Sequence, residues 1–348
     1  MTPARWERLT ADDVRVRPGR GSRPRTKTRP SHADAVPARV IAVDRGRYLT
    51  RLEGRQVEAI KAKELGHQSV VVGDLAYLVG DVSGAKDTLA RVVRIEPRRT
   101  VLRRATDEGR GRERVIVANA ERLVVVTALA SPPPRPRMID RCLVAAYDGG
   151  LDAVICLTKA DLGSDAELRA LYEPLGIQVV ATGLPDDSGA VPTAPEPGDI
   201  GQLEGLEQVR ELLAGRVSVL VGHSGVGKST LVNALVPGAG RATGAVNDVT
   251  GRGRHTSSSA VAMELPGGGW VIDTPGVRSF GLDHVEPQHV LAAFPDLAQV
   301  AQADCPRGCP HSPGALDCAL EQWAAGDSAR QARVESFQRL LASRDGQG

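Results

Sequence analysis

A glycine-rich segment between an apolar strand pattern and an apolar helix pattern constrains the fold of this chain more than any other feature. The segment runs from Gly222 to Thr230 and reads Gly-His-Ser-Gly-Val-Gly-Lys-Ser-Thr, which contains the pattern GxxxxGKS. It follows Val217–Val221, a nearly continuous apolar run typical of a buried strand. Glycines let the backbone N–H groups of such a loop face phosphate oxygens, and the following helix adds its positive N-terminal end. The pattern therefore predicts a phosphate-binding loop in an α/β domain.

The residue types in this loop predict individual roles. We expect Lys228 to reach the β- and γ-phosphates of a nucleotide and Ser229 to ligate Mg²⁺. The remaining phosphate contacts are expected from Gly222, Ser224, Gly225, Val226, Gly227 and Thr230.

A second motif, Asp273-Thr-Pro-Gly276, follows the short apolar strand pattern Trp270–Ile272. We expect Asp273 to hold Mg²⁺ through a water molecule and the Gly276 N–H to sense the γ-phosphate. The motif alone is a weak signal, but its place after a strand downstream of the loop makes it a strong one.

A third motif, Thr158-Lys159-Ala-Asp161, stands at the end of the strand pattern Ala153–Leu157 and points to guanine. The Asp161 carboxylate can accept hydrogen bonds from the ring N–H and the amino group of guanine, whereas adenine would leave it unpaired. We expect Lys159 to lie along the base and Thr158 to stand where such motifs usually carry Asn. A helix cap at Asp161 is the alternative interpretation.

The order of these motifs is reversed relative to most GTPases, in which the phosphate loop precedes the guanine-reading motif. In this chain Asp161 lies upstream of Gly222. The order predicts a circularly permuted GTPase domain that binds GTP and GDP with Mg²⁺.

The segment Gly251–Ser257, between the loop and Asp273, is rich in small and polar residues and predicts a mobile switch. Thr256 is the candidate second Mg²⁺ ligand, with Ser257 as the alternative. Residue 277, where many GTPases carry a water-orienting Gln, is Val, so another group must position the attacking water. His255 is the nearest polar candidate for that catalytic role, unless it is an ordinary exposed histidine.

Three cysteines and one histidine cluster near the C-terminus, and they are Cys305, Cys309, His311 and Cys318. Such a set closes a tetrahedral Zn²⁺ shell without an open position, so we expect one structural zinc ion. Prolines and glycines leave little regular hydrogen bonding there, and the metal would supply the folding energy.

Composition shifts suggest four regions. We divide the chain into a disordered basic arm over residues 1–35, a β-barrel over 36–100, the α/β domain over 101–283 with a loop insertion at 183–203, and a helical zinc-binding domain over 284–348. The short strands of the second region fit an OB-fold, with an SH3-like barrel as the alternative.

Charge is uneven along the chain although the net charge is only +2. Basic runs at residues 15–29 and 91–114 favour a polyanionic partner such as RNA, unless they are solvated faces.

No apolar run has the length of a membrane span, so we expect a cytoplasmic protein without membrane contact.

The combined order of motifs resembles the RsgA (YjeQ-type) family of GTPases that depend on the small ribosomal subunit, over residues 36 to 340. The resemblance implies an N-terminal OB-fold, late assembly of the 30S subunit with its 16S rRNA, and GTP hydrolysis stimulated by that subunit. It also implies that His255 is catalytic, that the Cys3His set binds zinc, and that the protein is a monomer. The chain departs from the family at Thr158, where Asn is usual, and in the cysteine spacing.

Two other functions remain open at this stage. One is a GTP-regulated RNA-binding module whose hydrolysis is incidental. The other is a P-loop ATPase or kinase acting on RNA, against which Asp161 argues.

Overall fold

The structure, a computed structural model, describes residues 32–105, 113–185, 203–240, 260–274, 280, 282 and 285–344. The expected basic arm lies outside these residues except for its last four positions, and only the two ends of the expected insertion at 183–203 are described. Residues from Asp34 onward form one compact unit. Among the described helices, none has the length and apolar character needed to cross a membrane.

A five-stranded barrel opens the described chain. Its strands are β1 (Val36–Asp44), β2 (Arg47–Leu52), β3 (Arg55–Lys61), β4 (Leu75–Gly80) and β5 (Ala90–Ile95). Alternate residues point inward, as in β2, where Tyr48, Thr50 and Leu52 are buried. β1 pairs with both β2 and β4, and β3 runs parallel to β5, so the order β1-β2-β3-β5-β4 closes on itself. This closed five-stranded arrangement is the expected OB-fold.

A two-stranded hairpin, β6 (Val101–Ala105) and β7 (Glu113–Ala118), leads into the α/β domain. The domain then alternates strands and helices: β8 (Arg122–Ala128), α1 (Pro136–Asp148), β9 (Asp152–Thr158), α2 (Ala166–Tyr172), β10 (Gln178–Ala181), α3 (Leu206–Leu213), β11 (Val217–Val221), α4 (Lys228–Leu235), β12 (Val261–Glu264) and β13 (Trp270–Asp273). β10, β9, β8, β11 and β13 are parallel neighbours in that order, and β12 is antiparallel to β13. Every residue of the central strand β8 is buried, as expected for a strand covered on both faces.

The described residues after β13 contain four α-helices, namely α5 (Pro287–Ala292), α6 (Pro295–Asp304), α7 (Ala319–Ala324) and α8 (Ser328–Arg344). They share an apolar core with α1 and α2 on one face of the sheet. Phe294 stands at the centre of this core, with its ring edge-on to Tyr147 of α1 at 5.2 Å and to Phe337 of α8 at 5.6 Å. The C-terminal helices are therefore built into the α/β domain.

Polar contacts fasten α8 to α1. Arg339 of α8 pairs with the buried Asp140 of α1 at 3.3 Å. Arg141 of α1 donates to the Ser343 carbonyl at 3.1 Å and to the Phe280 carbonyl at 2.6 Å. The latter contact ties the chain just after the Asp273 motif to the same helix pair.

The barrel and the α/β domain share one eleven-stranded sheet. The connection is an antiparallel pairing of β1 with β12, in which Ala42 faces Val261. β1 has an irregularity in its register with β2 between Val40 and Ala42, which is a β-bulge at Ile41. Consecutive residues Val40 and Ile41 are both buried, Val40 in the barrel core and Ile41 in the core of the α/β domain. The bulge thus redirects one side chain of a barrel strand into the neighbouring domain.

Candidate nucleotide site and metal centre

The glycine-rich loop joins β11 to α4, as its sequence context predicts. Gly227 has a φ of +85° and immediately precedes Lys228, the first residue of α4. A side chain at Gly222 would bring its Cβ within 2.5 Å of the Val126 carbonyl oxygen on β8. Glycine is therefore required at both ends of the loop, by conformation at 227 and by space at 222.

Lys228 and Asp273, from two separate motifs, form a buried ion pair. The Lys228 Nζ lies 2.9 Å from Asp273 Oδ1, and the two side chains are only 12% and 7% exposed. Lys228 also donates to the Thr274 carbonyl at 2.7 Å, and the Thr274 hydroxyl donates to the Leu220 carbonyl at 2.6 Å. The parallel pairing of β11 with β13, in which Leu220 faces Asp273, brings these groups together. A cation and a carboxylate thus lie together at the loop, where a phosphate and its metal ion would each find a partner of opposite charge.

Thr158 connects the guanine-reading motif to the phosphate loop. It is the last residue of β9, and its buried hydroxyl donates to the carbonyl of Val226 in the loop at 2.5 Å. Next to it, Lys159 adopts a left-handed backbone with φ of 55°, and its Nζ donates to the Ser131 carbonyl. A short hydroxyl side chain at position 158 therefore braces the loop where the longer Asn is usual.

Asp161 lies at the surface beside the end of β10. Its Oδ1 accepts a hydrogen bond from the Leu184 N–H at 3.0 Å. A Cβ at Gly183 would lie 2.9 Å from both the backbone nitrogen and Oδ1 of Asp161. The Gly183-Leu184 segment therefore fixes the carboxylate by one hydrogen bond and by close backbone packing.

Sequence reasoning did not identify this role of Gly183 and Leu184. In the structure the Thr182 N–H donates to the Leu157 carbonyl at 2.7 Å, so it is already used between β9 and β10. The available signal was the Thr-Gly dipeptide that follows the strand pattern.

Three predicted site residues, His255, Thr256 and Gly276, lie outside the residues that the structure describes. Their roles stay predictions. The described residues on either side are the end of α4 with its turn, the strand β12, and Asp273 with Thr274.

The four predicted zinc ligands converge. The ligand atoms of Cys305, Cys309, His311 and Cys318 all lie within 4.8 Å of one another. His311 Nδ1 is 3.7 Å from Cys305 Sγ and 3.8 Å from Cys318 Sγ. A tetrahedral zinc ion with ordinary bond lengths separates such atoms by about 3.6–3.8 Å. The cluster can therefore hold one metal ion, and its donor set fits zinc.

The surroundings of the cluster shift the pKa of two of its candidate ligands. Burial lowers the pKa of His311, which keeps the imidazole in the neutral form that binds metals. Burial raises the pKa of Cys318 to about 11, and the nearby Cys309 and Cys305 thiols act in the same direction, because both disfavour the charged thiolate. The Glu321 carboxylate accepts from the Gly314 N–H at 2.9 Å and from Gln338 at 3.1 Å, which fastens the loop to α7 and α8.

The second basic run has mixed roles. Arg98 is a structural residue, since it forms a bidentate pair with the fully buried Asp74 at 2.7 and 2.9 Å. Arg91 and Arg94 are exposed on β5, and the Arg94 guanidinium stacks on Tyr77 at 3.7 Å. The first run, at residues 15–29, lies outside the described residues.

Comparisons with known proteins agree with this architecture. A family model described as RsgA GTPase matches residues 95–283. A small ribosomal subunit biogenesis GTPase RsgA from Gemmatimonas aurantiaca is 37% identical over 296 residues, which cover 84% of this chain and 89% of the relative. The protein of the same name from Chlorobaculum tepidum is 33% identical, and the aligned residues cover 83% of this chain and 90% of that relative.

Solved structures are similar over nearly the whole chain. YjeQ from Thermotoga maritima superposes with a TM-score of 0.62 at 21% identity, covering 90% of this chain and all of the other. YloQ, a circularly permuted GTPase, gives a TM-score of 0.61 at 18% identity. The superposition covers 91% of this chain and 97% of YloQ. These likenesses confirm the expected fold class, including the permuted order of the motifs.

Proposed function

This chain belongs to the RsgA GTPase family, and from that premise we propose that it hydrolyses GTP to GDP and phosphate while acting in biogenesis of the small ribosomal subunit. Relatives that cover most of the chain carry that function in their names. Binding of 16S rRNA and a monomeric state are further parts of the proposal, and a ribosomal partner would keep the protein in the cytoplasm.

One observation carries the catalytic part of the proposal. The carboxyl ends of β9, β11 and β13 meet at one edge of a parallel sheet, and each carries a different motif of the site. The Lys228–Asp273 pair and the Thr158–Val226 hydrogen bond supply the contacts between these motifs. Three motifs separated in sequence thus lie at one edge of the sheet, and the chemistry of their side chains supports binding of a guanine nucleotide.

We assign the roles by the chemistry of each group. Asp161 would accept from the guanine N–H groups, Lys228 would contact the β- and γ-phosphates, and the loop N–H groups would bind the remaining phosphate oxygens. Ser229, Thr256 and, through water, Asp273 would hold Mg²⁺, which when bound neutralises charge on the phosphates. The γ-phosphate would contact the Gly276 N–H.

His255 is the proposed water-positioning residue. Val277 has no polar atom to orient the attacking water, and an imidazole can both accept and donate a hydrogen bond. Its place next to Thr256, a proposed Mg²⁺ ligand, supports this role.

The Cys3His cluster is proposed to hold one structural zinc ion. The separations of its atoms support tetrahedral binding, and four protein ligands leave no open position for catalysis. The ion would stabilise a loop that lies between α6 and α7.

The proposal is tested by the rate of GTP hydrolysis against increasing purified 30S subunits, with 50S subunits as control. We expect saturable stimulation by 30S alone. A GTP hydrolysis rate that does not change with the concentration of 30S subunits would contradict the proposal. It would favour instead a GTP-regulated RNA-binding module with incidental hydrolysis, an alternative that the names of the relatives do not favour. ATP should compete poorly with GTP, which separates the chain from P-loop ATPases.

A further inference from the structure

The strands that flank the proposed switch residues are fastened to the barrel. β12 is the first described element after His255 and Thr256, and β13 ends at Asp273, the partner of Lys228. β12 lies between β13 and β1, so it belongs to the α/β sheet on one side and borders the barrel on the other. A displacement of β1 is therefore transmitted directly to the strand that follows the switch.

The apolar part of this connection is Ile41. Its side chain is 5% exposed and packs in the same core as Ala262 of β12 and Ile272 of β13. Because protein cores are close-packed, such an insertion resists sliding of the barrel past the two strands. The bulge at Ile41 thus makes the barrel and the strands move together.

Two basic side chains add polar contacts across the same connection. Arg51 of β2 pairs with Glu264 of β12 at 3.0 Å, with the side chains 30% and 52% exposed. The Arg39 guanidinium of β1 lies 5.8 Å from the ring centre of Trp270 on β13. Each of the two strands that flank the switches thus receives one contact from a barrel arginine.

We propose that this connection, formed by Ile41, Arg39 and Arg51 of the barrel with Glu264 and Trp270 of the β12–β13 hairpin, transmits docking on the barrel to the GTP site. We call it the barrel–hairpin joint. The inference rests on the proposed function, because it concerns how the small subunit stimulates hydrolysis. Arg51 and Glu264 act as positioning residues for the switch and do not touch nucleotide.

The Arg51–Glu264 pair allows a test that leaves the fold intact. An exposed ion pair contributes little to stability, so its replacement should not unfold the protein. Reversal of one charge replaces the attraction between Arg51 and Glu264 by repulsion between like charges and should loosen the contact of β2 with β12. Reversal of both restores attraction with the polarity exchanged.

The experiment compares R51E, E264R and the double variant R51E/E264R in the full chain. GTP hydrolysis is measured without 30S subunits and over a range of 30S concentrations, and thermal unfolding checks the fold. We expect each single variant to lower the 30S-saturated rate by about five-fold or more, a size typical of coupling between sites. The double variant should recover most of that rate, and the unstimulated rate should stay unchanged in all three.

The Arg47–Glu58 pair is the matched control. It joins β2 to β3 on the surface of the barrel at the same distance of 3.0 Å, and neither residue belongs to the β12–β13 hairpin. R47E and E58R should leave the saturated rate unchanged.

Three results would contradict the proposal that the barrel–hairpin joint transmits docking to the GTP site. One is full stimulation of E264R, and another is a double variant no better than the single ones. The third is a loss in R51E that appears only as a higher 30S concentration for half-maximal rate, because that pattern means direct contact of Arg51 with the subunit. Absence of stimulation in the unmodified protein would instead contradict the proposed function itself.

Discussion

Asp161 shows how a single side chain can set base choice. One of its carboxylate oxygens is oriented by the Leu184 N–H, and the side chain is otherwise at the surface where a base can reach it. Asp161→Asn replaces a carboxylate oxygen by an amino group, which repels the amino group of guanine. We expect GTP affinity to fall by about 1–3 kcal/mol and xanthosine triphosphate to be preferred. Equilibrium binding of both nucleotides measures this, and an unchanged affinity for GTP would remove Asp161 from the site.

Gly183 offers a second test at the same carboxylate. A Cβ at this position would lie 2.9 Å from the Asp161 backbone nitrogen, which cannot move without displacing the motif. Gly183→Ala should therefore weaken GTP binding by about ten-fold, which corresponds to the loss of about one hydrogen bond to the base.

Gly163→Ala is the matched control for this substitution. Gly163 lies in the loop that carries Asp161, its backbone is extended, and its Cβ would meet Leu129 at an ordinary distance of 3.4 Å. Equal binding by the Gly183 and Gly163 variants would show that the close packing at 183 does not matter.

The sequence predicts a glycine-rich loop between a strand and a helix, and this loop does join β11 to α4, because the arrangement depends on local backbone conformation and on a continuous motif. The nucleotide contacts of the loop residues and of Asp161 stay predictions. The sequence does not predict the hydrogen bond from Thr158 to Val226, since this joins residues from two strands and depends on how closely β9 approaches the loop. The packing of Gly183 against Asp161 is equally non-local and carries no motif of its own.

At the scale of an element, the loop between α6 and α7 combines four candidate metal ligands with a hydrogen bond from Gly314 to Glu321 of α7. His311 and Asp317 adopt left-handed backbone conformations, which disfavour most side chains, and Leu316 is 89% exposed. We therefore expect the loop to depend on bound metal for its order, whereas α8 keeps its own contacts with α1.

Metal removal should consequently act locally. We expect about one zinc ion per chain in the protein as purified, and its loss on chelation or in Cys318→Ser. Hydrogen exchange should then rise in residues 305–318 while GTP affinity is retained, because the nucleotide site lies on other elements. Ser312→Ala, an exposed position in the same loop, serves as control and should keep the metal. Full metal retention in Cys318→Ser would contradict the assigned ligand set.

Strands β9 and β11 of the α/β domain lie where their continuous apolar runs predict them. The hairpin of β6 and β7 was not recognised, because its arginines mask the strand pattern. The pairing of β1 with β12 could not be predicted either. It joins Ala42 to Val261, which are far apart in the sequence, and a single pair of residues leaves no periodic pattern of apolar residues.

For the molecule as a whole, catalysis should depend on the ribosomal partner. His255→Ala should lower 30S-stimulated hydrolysis by about 10²–10⁴-fold, the range in which a positioned acid, base or water-orienting group contributes. GTP affinity and 30S binding should stay near those of the unmodified protein, and the slow unstimulated rate should change little. His67→Ala, at an exposed position in the barrel, is the control. A stimulated rate that survives in His255→Ala would mean that another group positions the water.

The pairing of Ala42 with Val261 also affects the order in which the chain can be made. During synthesis the barrel strands leave the ribosome long before β12 exists, since domains form from the N-terminus onward. The barrel can close at once through the pairing of β1 with β4. Until β12 and β13 have been synthesised, however, Ile41 has no core in which to pack and part of β1 remains an unpaired edge. Open edges beside exposed apolar side chains favour aggregation. A chain truncated before the hairpin should therefore self-associate even though its barrel is closed, which makes completion of synthesis a condition for solubility.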